Sequence, residues 1–153
     1  MNAVPTCRPT WDIDEMTRAA ALDLVRMTDW HATIPADVFA RACDHSLCLG
    51  LLAADPTPGW PHALVAFARV VTDRTTYAYL CDVIVHPARR GHGLASRLVE
   101  ETLARPDVGD LRRYGLLTRH AAGLYRKHGF VDKEPDVTYL ERRIARYGRA
   151  QAG

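Results

Sequence analysis

The residues best suited to chemistry gather at one turn. Arg89-Arg90-Gly91-His92-Gly93 lies between an apolar run, Val83-Ile84-Val85, and an amphipathic stretch that opens with Leu94-Ala95. Gly91 and Gly93 remove the side chains that would keep a ligand away from the backbone. Successive N–H groups can then converge on one anion at the positive end of a helix. Each favourable charge–dipole contact contributes about 0.3–1 kcal/mol, and the two arginines add charge beside it. The same spacing also starts ordinary helices, so the turn alone leaves both readings open. No Lys-Ser or Lys-Thr follows at the spacing of a mononucleotide phosphate loop, and the third glycine of a dinucleotide fingerprint is missing.

A second candidate is Asp82, set between Tyr79-Leu80-Cys81 and Val83-Ile84-Val85. A carboxylate in such a run is costly to bury without a partner, so it either pairs with an arginine or serves a site. Tyr79 and Cys81 are one strand period apart and share a face. Trp30 and His31 sit together between two helical segments, where an indole and an imidazole can cradle an organic amine; Trp30 also suits a core anchor. The four cysteines, Cys7, Cys43, Cys48 and Cys81, form no Cys-x-x-Cys pair, and no histidine completes a zinc spacing. No metal is expected, and Cys81 lacks the activating base that a nucleophile needs.

The elements that must position these residues follow from hydrophobic period. Asp12 with Glu15 resembles a capping box ahead of Met16, Ala20, Leu24 and Met27 at helical spacing. Pro35 suits the first turn of a second helix, with Val38, Ala42 and Cys43 as its inner stripe. Residues 47–54, 63–71 and 76–85 read as three strands of an antiparallel meander, the last two joined by the turn Asp73-Arg74-Thr75. Leu94, Leu98 and Leu103 then mark a helix that Pro106 closes. A short strand at 113–118, a short helix from Ala121 to His128 and a last strand near 136–142 complete the chain. Tyr125, by itself, reads as a packing residue on that short helix.

These features resemble the GNAT family of acyl-CoA-dependent N-acetyltransferases. The family's pyrophosphate motif, Arg/Gln-x-x-Gly-x-Gly/Ala, is met by Arg90-Gly91-His92-Gly93-Leu94-Ala95 after a strand and a Val-x-Pro turn. Its second marker, Ala-x-x-x-Tyr-x-x-x-Gly-Phe, is met by Ala121, Tyr125, Gly129 and Phe130. The element order agrees from about residue 12 to 143, leaving 144–153 as a basic tail on a single domain. One departure is Thr118, where many members carry an asparagine on the cofactor side. The resemblance implies a mixed α/β (α+β) fold whose mostly antiparallel, splayed and twisted sheet has about six or seven strands, flanked by about four helices.

It also implies acetyl-CoA as co-substrate, with the amides of residues 90–95 on its pyrophosphate and the backbone of Val83, Ile84 and Val85 along its pantetheine arm. Gly115 would relax packing where the sheet splays. The reaction would be direct attack of a primary amine on the thioester. At an ordinary pKa near ~10.4, about one alkylamine in 10³ is neutral at pH 7, so a proton acceptor is needed. Tyr125 matches the family position of the acid that protonates the leaving thiolate, and acids on the strand of Asp82 bind the amine or start the proton relay. Trp30, His31, Tyr79 and Cys81 are the expected substrate contacts. The expected partner is a small-molecule amine; a protein amine and a non-catalytic acyl-CoA sensor are the alternatives. Family members are often dimers, so a homodimer is the expected assembly.

Composition bounds these readings. The 153 residues, 48% hydrophobic and 25% charged, suit one domain. No apolar run approaches the roughly 20 residues of a membrane span, and residues 1–11 lack a signal-peptide core. Together with cysteines expected as free thiols, this points to a soluble cytoplasmic protein. Residues 1–88 hold six arginines against ten acids, a balance of −4, while residues 89–153 hold fourteen basic residues against eight acids, a balance of +6. The second half would favour a polyanion. No recognition helix or aromatic-basic motif supports nucleic acid as that partner.

Overall fold

Residues 6–143 are described in a computed structural model, without the side chains of Glu15 and Met16. The three apolar segments become β2 (Leu47–Ala53), β3 (Leu64–Thr72) and β4 (Tyr77–Val85), consecutive antiparallel neighbours. The β3–β4 turn is fixed by Asp73, whose carboxylate accepts from the amides of Thr75, Thr76 and Tyr77 and from the Thr76 hydroxyl. Those bonds, the Thr76 hydroxyl first, hold its carboxyl well below the usual range. β1 (Cys7–Thr10) pairs antiparallel with β2, and β5 (Arg113–Gly115) pairs parallel with β4, giving the order β1-β2-β3-β4-β5.

Helices cover both faces. α1 (Glu15–Arg26) and α2 (Ala36–Asp44) bury Ala20, Ala21, Leu24, Val25, Phe39 and Cys43 against Phe67 and Ile84. The α1 cap is Asp14, which accepts from the Thr17 amide, rather than the expected Asp12–Glu15 box. Met27 follows the helix and is exposed. α3 (Leu94–Ala104) buries Leu94, Leu98 and Val99 on the opposite face against Val65, Ala68, Val70 and Leu80. Each fully buried side chain of this size contributes about 1.5–3 kcal/mol.

Two expectations on element number are corrected. Among the described residues the sheet has five strands rather than about six or seven, and there are five α-helices rather than about four. Pro106 does close α3, but as a first-turn proline it also starts the single-turn α4 (Pro106–Gly109). α5 is Ala122–Arg126. The strand expected near 136–142 is absent, because its alternating face finds nothing to cover it: Val137 and Tyr139 stay 47% and 58% exposed. An alternating pattern without a buried face does not order a strand. β1 begins before the expected start of the core near residue 12. Its Pro9 reads as a strand breaker but is tolerated at a sheet edge, where β1 lies. The basic tail, 144–153, lies outside the described residues.

β4 carries one extra residue relative to β3. β3 goes from Phe67 to Arg69 in two steps while its β4 partners run from Ile84 to Cys81 in three. The bulge falls on Asp82 and Val83, with Asp82 at φ +52°. It inverts the in–out alternation, so Ala78, Leu80 and Val85 belong to the α3 side, whereas Asp82 and Ile84 belong to the α1/α2 side. The other edge of β4 diverges: pairing with β5 ends at Tyr79 and Gly115. Gly115 has no side chain because the Tyr77 hydroxyl occupies the place of its Cβ.

The α3 face carries much of the core, so truncating it tests the packing. Leu98→Ala, at a fully buried site, is expected to cost about 2–5 kcal/mol in urea unfolding. Met27→Ala, at a half-exposed site, should stay within about 0.5 kcal/mol.

Candidate active site

The strand–turn–helix unit forms as the sequence indicates. β4 ends in a 3-10 turn, Pro87–Arg89, where the His86 ring accepts from the Ala88 amide. Gly91 and Gly93 then take φ of +79° and +76°, the left-handed region that favours glycine. Gly93 caps α3, and the first helical bond runs from the Arg97 amide to the Gly93 carbonyl. Among the described residues, the amides of 91–96 therefore have no main-chain partner. A Cβ built on Gly91 or Gly93 would meet nothing within 4 Å. Unpaired amides around two open glycines fit a diphosphate.

The two arginines beside the turn brace it. Arg89 donates to Thr57 Oγ1 at 2.8 Å and to the carbonyls of Asp55 and Pro56, tying the 55–57 loop to the turn. Arg90 Nε donates to the Val85 carbonyl at 3.1 Å, and His92 Nδ1 donates to the Arg90 carbonyl at 2.8 Å. Leu94 is buried in the α3 core and Ala95 packs against it. Past Tyr79, the β5-facing edge of β4, which includes Val83, Ile84 and Val85, has no strand partner among the described residues.

Asp82 is the centre of a buried charge cluster. Arg69 Nε donates to its Oδ2 at 2.7 Å, and His31 Nε2 lies 3.3 Å from its Oδ1. Arg69 also donates to Ser46 Oγ at 3.1 Å and accepts the Cys81 thiol on its carbonyl. Burial alone would raise the Asp82 carboxyl, but hydrogen bonding from His31 and the charge and hydrogen bond of Arg69 hold it below the usual range. His31 reaches the cluster from the α1–α2 loop, which Arg26 ties down by donating to the Ile34 carbonyl. The Asp82 side chain is 3% exposed and that of His31 19%, so the carboxylate is screened by the imidazole.

The other expected site residues divide between contact and exposure. Cys81 shares the Asp82 side of β4, and burial pushes its thiol up to about 12, which rules out a thiolate nucleophile at neutral pH. Tyr79 is half-buried, and burial raises its phenol too. Trp30 is 57% exposed and anchors no core. Thr118 accepts the Ala121 amide on its hydroxyl and so fixes the approach to α5. Tyr125 is buried against Phe130, and desolvation raises its phenol, keeping it protonated at neutral pH. Sequence reasoning missed Arg69, and also a 2.6 Å bond between Ser96 Oγ and His128 Nε2. The only advance signal for Arg69 was that Asp82 needed a cation. Among the described residues no cluster of His, Cys, Asp or Glu is placed to hold a metal ion, and no helix is long and apolar enough to cross a membrane.

The lowered carboxyl of Asp82 sets a pH dependence. With the folded value below the unfolded one, its stabilisation is complete above the ordinary aspartate value of about 3.9 and fades as pH falls through the folded value. Asp82→Ala strands Arg69 and should cost roughly 3–5 kcal/mol in urea unfolding at neutral pH. The gap to wild type should narrow below about pH 4; a constant gap would show that the charge on Asp82 contributes no stability.

Comparison with known proteins agrees with this geometry. Residues 51–132 match the family model of the acetyltransferase (GNAT) domain. A structure from Xanthomonas campestris pv. campestris, described as belonging to the GNAT family, is 35% identical, with a TM-score of 0.78 over 93% of this chain and 96% of its own. Glucosamine-6-phosphate N-acetyltransferase from Arabidopsis thaliana superposes with a TM-score of 0.62 at 15% identity, over 88% of this chain and 98% of its own. The ribosomal-protein-S18-alanine N-acetyltransferase from Escherichia coli gives 0.64 at 20% identity, over 84% and 80%. These last two likenesses are of fold. No curated protein matches. A family model over more than half of the residues and a 35%-identical structure over nearly all of them show that this chain belongs to the GNAT family of N-acetyltransferases.

Proposed function

We propose that the protein transfers the acetyl group of acetyl-CoA to a primary amine of a small molecule by direct attack. The observation that carries this reading is the run of unpaired amides at 91–96 beside the parted edge of β4, with Asp82, held by Arg69 and His31, on the same strand. Acetyl-CoA supplies an activated acyl carbon and a thiolate leaving group. The turn amides hold its diphosphate, and the open edge of Val83–Val85 hydrogen-bonds its pantetheine arm as an added strand would.

The chain's own groups then manage two protons. The acceptor arrives as an ammonium and gives one proton toward the His31–Asp82 pair; its freed lone pair forms the new N–C bond. The C–S bond breaks and the departing thiolate takes the Tyr125 hydroxyl proton; the nitrogen sheds its second proton as it becomes an amide, and that proton restores the Tyr125 phenol through water. Desolvation of Tyr125 keeps that proton in place until it is needed. His31 is the more exposed member of the pair, and Asp82 orients its ring. Exposed Trp30 and half-buried Tyr79 flank this side, a surface suited to a small organic cation.

Thiol release from acetyl-CoA across a panel of amino acids, polyamines, arylalkylamines and aminoglycosides tests the activity. At least one amine should accelerate release well above the rate in water. Acetyl-CoA binding with no acceleration by any of them would instead support an acyl-CoA sensor or a protein acceptor. With an active amine in hand, Tyr125→Phe should lower kcat by about 10²-fold or more while acetyl-CoA affinity stays the same. An unaltered kcat removes the acid role. Gly93→Trp should abolish acetyl-CoA binding in calorimetry with the fold retained, because the indole would fill the turn.

A further inference from the structure

We infer that Ser96 and His128 form a positioning pair for the diphosphate of coenzyme A. In the bound form His128 donates Nε2–H to Ser96 Oγ, which turns the Ser96 hydroxyl hydrogen toward the anion. This rests on the proposal that the 91–96 turn holds that diphosphate.

Ser96 is the third residue of α3, and its own amide is one of the unpaired donors. Helical side chains lean toward the N-terminus, and covalent geometry keeps a serine Oγ within about 4 Å of its own nitrogen. The hydroxyl is therefore carried to the same end of the helix as the amides. Its recorded partner is His128 Nε2, at 2.6 Å. A hydroxyl has one hydrogen and two lone pairs. If that hydrogen goes to the imidazole, the lone pairs face the anion and repel it. If the imidazole donates instead, the hydrogen is released to the anion as a charge-assisted bond. Diphosphate binding thus selects the Nε2–H form of His128.

The charged side chains near these amides are engaged elsewhere, which gives the hydroxyl weight. Arg89 is occupied by the 55–57 loop, Arg90 Nε by Val85, Arg97 by the Cys7 carbonyl and Arg126 by Asp132. His128 is itself held, because its amide donates to the Tyr125 carbonyl at 2.9 Å. The pair consequently ties the anion turn of α3 to the segment that carries Tyr125.

Calorimetry with free coenzyme A tests the pair. Ser96→Ala and His128→Phe should each weaken binding roughly tenfold or more, as expected for a lost hydrogen bond to a charged group. The double variant should be no weaker than about twice the worse single, since both remove one shared donor. His128→Gln, whose amide can still donate, should recover most of the affinity, which packing alone would not predict. Wild-type affinity in Ser96→Ala, or full additivity in the double variant, would overturn the inference. Should His128→Phe fail to fold, Ser96→Ala and His128→Gln decide it. A wild-type protein that does not bind coenzyme A would instead refute the cofactor proposal on which the pair depends.

Discussion

The extra residue in β4 is the constraint on which the site depends. A non-glycine residue at φ +52° in a central strand costs on the order of 1–3 kcal/mol and persists only where its surroundings fix it. At Asp82 they do: Arg69 from the neighbouring strand and His31 from the α1–α2 loop hold the carboxylate from two sides. Without the bulge, strand alternation would turn Asp82 toward the α3 face, away from Arg69. The ion pair and the bulge therefore require each other. The bulge also puts Ile84 on the α1/α2 side and Val85 on the α3 side, the reverse of what unbroken alternation from Leu80 would give, just before the chain enters the glycine turn.

The balance of +6 in residues 89–153 suggested a polyanion as partner. Arg89 and Arg90, the two nearest the turn, are instead engaged with carbonyls and a hydroxyl of the protein itself. What faces outward is backbone. Amides at a helix start are oriented by the fold and need no reorganisation when an anion arrives, whereas a long side chain must be ordered first. On the proposed function, the arginines support anion binding mainly by keeping the turn rigid.

What could be read in the sequence was local. Gly91 and Gly93, the apolar strand before them and the Leu94–Leu98 stripe lie within one short stretch, and each demands a neighbour's conformation. The partners of Asp82 were not legible, because Arg69 and His31 are 13 and 51 positions away and only sheet pairing and loop packing bring them in. The fate of Trp30 was hidden similarly, since burial depends on what lies opposite. β1 escaped notice because Pro9 marks an interior strand as broken but leaves an edge strand intact. The alternation at 136–142 misled for the converse reason: a pattern that fits a strand gains nothing until another surface covers it.

In the proposed reaction one strand serves both reactants. The parted edge of β4 and the turn that follows it face the acyl donor, while the α1/α2 side of the same strand carries Asp82 and, against it, His31. Separate loops would allow the distance between donor and acceptor sites to fluctuate. Here that distance is set by a few residues of hydrogen-bonded backbone in the middle of a sheet, which α1 and α3 clamp from opposite sides. Near-attack placement rewards such rigidity, because a misfit of about 1 Å can cost on the order of 10² in rate. The loop that brings His31 can then differ in its outer residues, Trp30 among them, without disturbing the geometry of acyl transfer. The proposed function thus separates acceptor choice from chemistry by position in the fold: one in an exposed loop, the other within the sheet.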